Sequence, residues 1–241
     1  MKICIITPTY NEKENIALLL DELLKVFNKT KYEMNILVVD DNSPDGTADI
    51  VKKYCSTYKN VHLITGNKEG LGKAYIRGFN HVLNNMKMDA IIMMDADFSH
   101  DPKYVPDFLK NLDKYNFIIG SRYIKGGKIP DWPFYRRIIS AGGNFFARII
   151  SGLYGVHDCT TGYRCIKTEL LKKIDFDKLD AKGYAFMSTL LFEAKKEGAE
   201  FKEIPITFYD RKRGKPKLSY KDMVEFFFNS FKLRIRSITG K

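Results

Sequence analysis

The 241-residue sequence contains no Cys-x-x-Cys pair, no glutamine, and no apolar run near the roughly 18 residues of a membrane-spanning helix. Its four cysteines, Cys4, Cys55, Cys159 and Cys165, lack zinc-site spacing, and Cys4 falls inside a predicted buried strand. That usage suits a reduced, cytoplasmic protein. The chain opens on a strand pattern, so no signal peptide is expected and any membrane contact is expected to be peripheral or supplied by a partner. A dinucleotide fold needs Gly-x-Gly-x-x-Gly after its first strand, and Pro8, Thr9 and Tyr10 stand there instead, which disfavours NAD. No Walker lysine motif occurs, and Gly70-Leu71-Gly72 reads as a turn before a helix.

Charge is plentiful and uneven. Of the formal net charge of +11, residues 211–241 carry +8, from ten Lys or Arg against Asp222 and Glu225, leaving +3 for the first 210 residues. A basic end of this kind suits a nucleic-acid binder, a protein gripping phosphates, or one lying on anionic lipid.

The length fits one α/β domain with a sizeable core. Strands are predicted over Lys2 to Thr7, Asn35 to Asp40, Val61 to Thr65, Ala90 to Met94 and Phe117 to Gly120. Helical patterns lie between them, over Asn15 to Phe27, Thr47 to Tyr58, Gly72 to Asn84 and Lys103 to Leu112. This alternation predicts a mostly parallel sheet with helices on both faces, whose ligands sit beyond the carboxyl ends of the strands. A basic, Gly-rich loop (Ser121 to Pro130), an amphipathic helix (about Tyr135 to Leu153) and a Thr/Gly turn at Asp158 to Gly162 come next. A helix from Gly183 to Glu197, a strand from Lys202 to Phe208 and a terminal helix from about Tyr220 to Ile238 complete the pattern.

Polar clusters follow three of the strands: Thr7 to Glu12, Asp40 to Ser43, and Asp95-Ala96-Asp97. In extended chain, residues i and i+2 point to the same side, so Asp95 and Asp97 can aim together at one hard cation. Mg²⁺ and Mn²⁺ take oxygen ligands and complete their shells with substrate phosphates and water. A metal-diphosphate site is therefore the first expectation, and right-handed crossovers put all three clusters along one edge. Asp41 is placed either to accept hydrogen bonds from a base or ribose or to cap the turn that follows it. Tyr10 could stack on a base, and Glu12 could bind a sugar hydroxyl. Arg122, Arg136, Arg137, Arg211, Arg213 and Lys217 are cations from several elements, the kind of set that two phosphate groups require, or else a basic solvated rim. The terminal helix mixes Phe226, Phe227, Phe228 and Phe231 with Lys232, Arg234 and Arg236, which suits either a membrane-interfacial helix or one packed on the domain.

In order and spacing, Pro8 to Glu12, Asp40 to Thr47 and Asp95-Ala96-Asp97 resemble family 2 glycosyltransferases of the GT-A fold. Gly120-Ser121-Arg122-Tyr123, Trp132 with Arg136 to Ser140, Asp158 to Arg164, Gly183 to Phe186, and Asp210-Arg211 with Gly214 and Lys217-Leu218 narrow the resemblance to dolichyl-phosphate (polyprenyl-phosphate) mannose synthases, over about residues 3 to 219. The resemblance implies a GT-A catalytic domain over 1–219 and a basic amphipathic tail helix over 220–241. It implies that Pro8, Tyr10, Glu12, Val39 and Asp41 hold the guanosine end of GDP-mannose. Asp95, Ala96 and Asp97 would hold the metal, Mg²⁺ or Mn²⁺, and the diphosphate, with Arg122, Arg211 and Lys217 completing the donor site. Arg136 would meet the phosphate of a polyprenyl (dolichyl) acceptor. Asp97, Arg122, Arg136 and Arg211 are the residues expected to carry catalysis.

Some family members carry their own spanning helices and others are short catalytic subunits held by small membrane partners; this chain is similar to the short kind. The expected location is the cytoplasmic face of a membrane, with no nucleic acid bound. Two positions depart from the family pattern: Ser99 stands where some relatives have Gln near the metal, and Met187 where Gln is common. The Glu-Asp pair and Gln-x-x-Arg-Trp pattern of hydroxyl-acceptor relatives are absent, which fits a phosphate nucleophile that needs no general base. Inversion, from α in the donor to β in the product, is implied by the family. Two alternatives remain at this level: the same reaction with UDP-glucose, and a non-catalytic module that binds RNA or anionic membrane.

Overall fold

Apolar runs rich in Ile, Val and Met alternate with amphipathic segments through the first 120 residues, and the computed structural model, which describes residues 1–179, 183–210 and 220–239, folds them accordingly. The first half runs β1 (Lys2–Thr9), α1 (Lys13–Phe27), β2 (Glu33–Asp40), α2 (Thr47–Thr57), β3 (Val61–Thr65), α3 (Leu71–His81), β4 (Ala90–Met93), α4 (Val105–Asn111) and β5 (Phe117–Ser121). The second half holds α5 (Phe134–Ile150), β6 (Arg164–Lys167), the single turn α6 (Thr168–Leu171), α7 (Gly183–Lys196), β7 (Phe201–Pro205) and α8 (Tyr220–Thr239).

The seven strands form one sheet in the order β3-β2-β1-β4-β6-β5-β7. β6 runs antiparallel to both of its neighbours, and every other pair is parallel. The sequence pattern did not mark β6 as a strand. It has four residues, two of them Arg164 and Lys167, and nothing local shows that Arg164 will be fully buried. The helix expected to run to Asn84 ends at His81 and continues as one wider turn over Val82–Met86.

Alternation along β1 builds two cores. Ile3 and Ile5 face the layer of Leu19, Leu20 and Leu23 from α1 and Phe108 and Leu109 from α4. Cys4 and Ile6 face Tyr75 and Phe79 of α3 and Leu190 and Leu191 of α7. Gly78 lets α3 approach the sheet closely, since a Cβ there would lie 2.7 Å from Ile6 Cγ2 and 3.2 Å from Val39 Cγ2. All four cysteines are free thiols, and three are buried.

The terminal helix is packed on the domain along one face. Phe226, Ser230 and Leu233 are buried, Asn229 Nδ2 donates to Thr189 Oγ1 of α7 at 2.9 Å, and Arg236 pairs with the buried Glu193 at 2.7 Å. Its other face carries exposed Phe228, Ile235 and Ile238; of the two sequence readings, the packing of this helix on the domain is the one observed.

Candidate active site

Parallel pairing of β4, β1 and β2 brings their carboxyl ends together, with Ile6 opposite Met93 and Thr9 opposite Asp40. The three polar clusters therefore share one sheet edge, where a doubly wound sheet binds ligands. Each cluster holds or directly precedes a non-glycine residue in left-handed backbone: Asn11 (φ 57°), Asn42 (φ 51°) and, after Asp97, Phe98 (φ 63°). Asn tolerates this region, whereas a bulky Phe there costs on the order of 1–3 kcal/mol, a type of strain that gathers at ligand sites.

Phe98 sits directly beyond the Asp-Ala-Asp run. Asp97 is buried, and its Oδ1 accepts from the Ser99 hydroxyl at 2.6 Å and the Ser99 N–H at 3.1 Å. Ser99 thus orients Asp97. Asp95 is about one-third exposed (35%), and its Oδ1 accepts from the Tyr75 hydroxyl at 3.3 Å. Burial, with Asp95 adding to it, pushes the Tyr75 phenol well above its usual value, so Tyr75 stays a donor. The Asp95 N–H donates to His100 Nδ1 at 3.0 Å. Burial lowers the His100 pKa, so the ring is neutral at pH 7 and accepts through Nδ1, with its proton on Nε2. Gly162 comes close on the far side: a Cβ there would meet His100 Cε1 and Met187 Cε at 3.3 Å and Asp95 Oδ1 at 3.8 Å.

Beyond β2, Asp40 accepts from Thr9 Oγ1 at 2.8 Å and from the Ser43 hydroxyl and N–H at 2.6 and 2.8 Å, tying the ends of β1 and β2 together. The turn is capped by Asp45, whose Oδ1 accepts from the Thr47 hydroxyl at 2.6 Å. Asp41 is buried and accepts from Arg77 Nη1 at 2.9 Å. Burial raises its pKa and the Arg77 hydrogen bond opposes the rise. Glu12, also buried, accepts from Asn15 Nδ2 at 2.8 Å. The Tyr10 ring faces Lys68, whose Nζ lies 3.6 Å from the centroid. Pro8 pairs in register with Val39, and the Val39 side chain is committed to the core. Ala96 is buried beside the two aspartates.

On the other side of the site, Arg122 at the end of β5 is buried rather than on a solvated rim. Its Nε and Nη2 donate to the two Asp158 oxygens, both at 2.8 Å, and Nη2 also donates to Thr160 Oγ1 at 2.7 Å. The Tyr123, Trp132 and Phe208 rings lie 5.2–5.8 Å from its guanidinium carbon. Burial of Asp158 works to raise its pKa, but the charge and hydrogen bonds of Arg122 outweigh this and hold the carboxyl below its ordinary value. Asn144 of α5 joins the same network, donating to Thr160 Oγ1 at 3.1 Å and accepting the Cys159 N–H at 2.8 Å. Arg164 is fully buried, donates to the Met187 and Cys159 carbonyls, and is lowered to about 10 by burial, so it remains a cation. Arg136 lies in a different setting: it is 42% exposed, sits 3.9 Å above Trp132, and donates to Asp210 at 2.8 Å. Arg211, Arg213 and Lys217 lie outside the described residues.

Sequence reasoning missed Tyr75, Arg77 and His100, the partners that hold Asp95 and Asp41. Asp158 and Thr160 stood only as motif markers. No local pattern names Arg77 as the partner of a residue 36 positions away.

A family model described as glycosyl transferase family 2 matches residues 4–175. The chain is 39% identical over 220 residues to an undecaprenyl-phosphate mannosyltransferase of Micrococcus luteus, covering 91% of this chain and 88% of that protein. It is 37% identical to a polyprenol monophosphomannose synthase of Mycolicibacterium smegmatis (96% and 86% covered) and 34% identical to a dolichol-phosphate mannosyltransferase of Pyrococcus furiosus (97% and 64%). Among solved structures, mannosyl-3-phosphoglycerate synthase from Rubrobacter xylanophilus superposes with a TM-score of 0.72 at 17% identity, over 100% of this chain and 74% of that one. Glucosyl-3-phosphoglycerate synthase from Mycobacterium tuberculosis, crystallised with Mn²⁺, UDP and glucosyl-3-phosphoglycerate, gives 0.68 at 16%, over 99% and 80%. At these identities the two structures speak for the fold alone.

Proposed function

The chain belongs to glycosyl transferase family 2, and from that premise we propose that it transfers mannose from GDP-mannose to the phosphate of a polyprenol. The names of the relatives support the mannosyl group and the lipid-phosphate acceptor. The observation in this chain that carries the reading is the pair Asp95 and Asp97, oriented by Tyr75, His100 and Ser99 at the edge shared with β1 and β2.

The donor set fits a divalent ion. Asp95 and Asp97 would offer it carboxylate oxygen, with diphosphate and water completing its shell; among the described residues no group of three or more His, Cys, Asp or Glu that could hold a metal occurs. That division is the habit of Mg²⁺ and Mn²⁺ in phosphate sites. When bound, the ion neutralises charge on the diphosphate and so eases departure of GDP.

The residues of the chain divide the other tasks. Pro8, Tyr10, Glu12 and Asp41 serve the guanosine end, where Val39, its side chain in the core, offers backbone alone, while Arg122, Arg211 and Lys217 complete the diphosphate side. Arg136 exchanges Asp210 for the phosphate of the acceptor, a replacement of one charge-assisted partner by another of the same sign. An acceptor oxygen then bonds to the anomeric carbon as the bond to GDP breaks, with inversion from α to β. A phosphate oxygen is already anionic near neutral pH, so no side chain has to remove a proton. Among the described residues no helix is long and apolar enough to cross a membrane. We place the enzyme at the cytoplasmic face of a membrane because its acceptor is a lipid phosphate.

Incubation of the purified chain with radiolabelled GDP-mannose, Mg²⁺ or Mn²⁺ and a short polyprenyl phosphate is expected to yield metal-dependent, organic-extractable label. Label from UDP-glucose and none from GDP-mannose would replace the donor. Strongly salt-dependent binding to RNA, with no turnover of either sugar nucleotide, would overturn the enzymatic reading.

A further inference from the structure

Arg164 carries a buried charge to which the transfer assigns no task. Its side chain lies at the start of β6 and is fully buried. Nη1 and Nη2 donate to the Met187 and Cys159 carbonyls at 2.6 and 3.0 Å, while Nε is buried with no partner. The carboxylate whose charge reaches it, Asp158, has both oxygens engaged by Arg122 at 2.8 Å. Among the described residues Arg164 thus has no carboxylate of its own. Two carbonyl bonds do not repay the burial of a cation, since a neutral donor would make such bonds without the same loss of hydration. A guanidinium held in this way calls for an anion from outside the chain.

Its place in the sheet selects the anion. Antiparallel pairing sets Arg164 opposite Met93 of β4, two residues before Asp95, and opposite Ile119 of β5, three residues before Arg122. Gly162, just upstream, passes close to Asp95, since a Cβ there would lie 3.8 Å from Asp95 Oδ1. Tyr75, whose hydroxyl donates to that same oxygen, is near enough for the Arg164 charge to pull its pKa downward against burial. Arg164 therefore lies beneath the gap between the aspartate pair and Arg122. The two aspartates would balance a divalent ion and Asp158 balances Arg122, which leaves Arg164 as the surplus positive charge of this floor. We propose that Arg164 is a positioning charge for the donor diphosphate, acting through the floor of the site, and that the incoming diphosphate is its missing counter-charge. This rests on the reading of the donor as a nucleoside-diphosphate sugar. A buried guanidinium is screened less than one at the surface, and its fixed place requires no reorganisation as charge grows on the departing GDP.

Calorimetric titration of the full chain with GDP, GMP and guanosine tests this in the wild type and in R164Q, which removes the charge and keeps an amide donor for a carbonyl. R164Q is expected to lower the affinity for GDP about tenfold and that for GMP by less, and to leave the affinity for guanosine within about twofold of wild type. R164K, which restores a cation, is expected to recover most of the loss, and kcat for transfer from GDP-mannose should follow the same order. Wild-type affinity for GDP in R164Q would overturn the proposal. An equal loss for guanosine and GDP would do the same, since it marks a distorted pocket, as would an R164K no better than R164Q. Failure of both R164Q and R164M to fold would assign the charge to the fold and likewise overturn it. Should the wild type bind UDP and not GDP, the guanosine reading falls, and the same series with UDP, UMP and uridine decides the role of Arg164.

Discussion

The two sides of the candidate site are held together in different ways. On the β1–β2–β4 side many orienting bonds are local: Ser43 to Asp40 spans three residues, and Thr47 to Asp45 and Ser99 to Asp97 span two. On the β5–α5 side they are long-range: Arg122 to Asp158 spans 36 residues, Asn144 to Cys159 spans 15, and Arg136 to Asp210 spans 74. The first side is built on turns that set much of their own geometry and gather because parallel strands end together, and it is completed from a distance by Tyr75 and Arg77 of α3, 20 and 36 residues from Asp95 and Asp41. The second exists only after β5, α5 and the Asp158–Gly162 turn have packed. The difference predicts that changes on the first side reduce chemistry with little loss of stability, and changes in the buried network of the second side cost the fold.

The sharpest break would come at Asp97. Asp97→Ala is expected to lower metal-dependent transfer from GDP-mannose by at least about a hundredfold while leaving the circular dichroism spectrum and thermal midpoint close to wild type. Retained activity would remove the aspartate pair from the donor site. Next in size is Asp158→Ala, which leaves the Arg122 guanidinium buried without its carboxylate and is expected to cost about 3–5 kcal/mol in urea unfolding. A loss confined to activity would show that the two sides do not differ in the way described. Arg136→Ala, at a half-exposed position, should raise the KM for polyprenyl phosphate about tenfold and that for GDP-mannose far less. An equal rise in both constants would take Arg136 off the acceptor side.

The smallest effect is in pH. The Asp158 carboxyl is held below its ordinary value of 3.8 in the folded protein, so its contribution is fully present above that value and disappears as pH falls through the lower, folded-state value. The stability gap between wild type and Asp158→Asn should therefore be flat near neutrality and shrink only under strong acid. A gap that closed already near pH 6 would point to another group.

Legibility in the sequence follows the reach of each bond rather than the side of the site on which it lies. The five strands of the first half, their helices and the three polar clusters were readable because apolar alternation and turn chemistry act over a few residues. β6 was not, since four residues with an arginine among them carry too little pattern, and Arg164 finds its carbonyl partners only across the domain. Tyr75, Arg77 and His100 were likewise invisible as partners. Tyr75 and Arg77 sit on a helix whose apolar spacing says only which face is inward, and the role of His100 depends on how the chain turns after β4.

The sequence by itself determined the alternating α/β rhythm, the acidic and polar strand ends and the basic, Phe-rich character of the last helix. Each of these depends on side-chain chemistry and on spacings shorter than one element. Tertiary structure alone decided that Arg122 is buried on Asp158, that α8 lies against α7, and that α5 keeps nearly all of its apolar surface outside. These outcomes depend on which distant surfaces meet, and burial sets the energy of a charge or a phenyl ring only once its neighbours are in place.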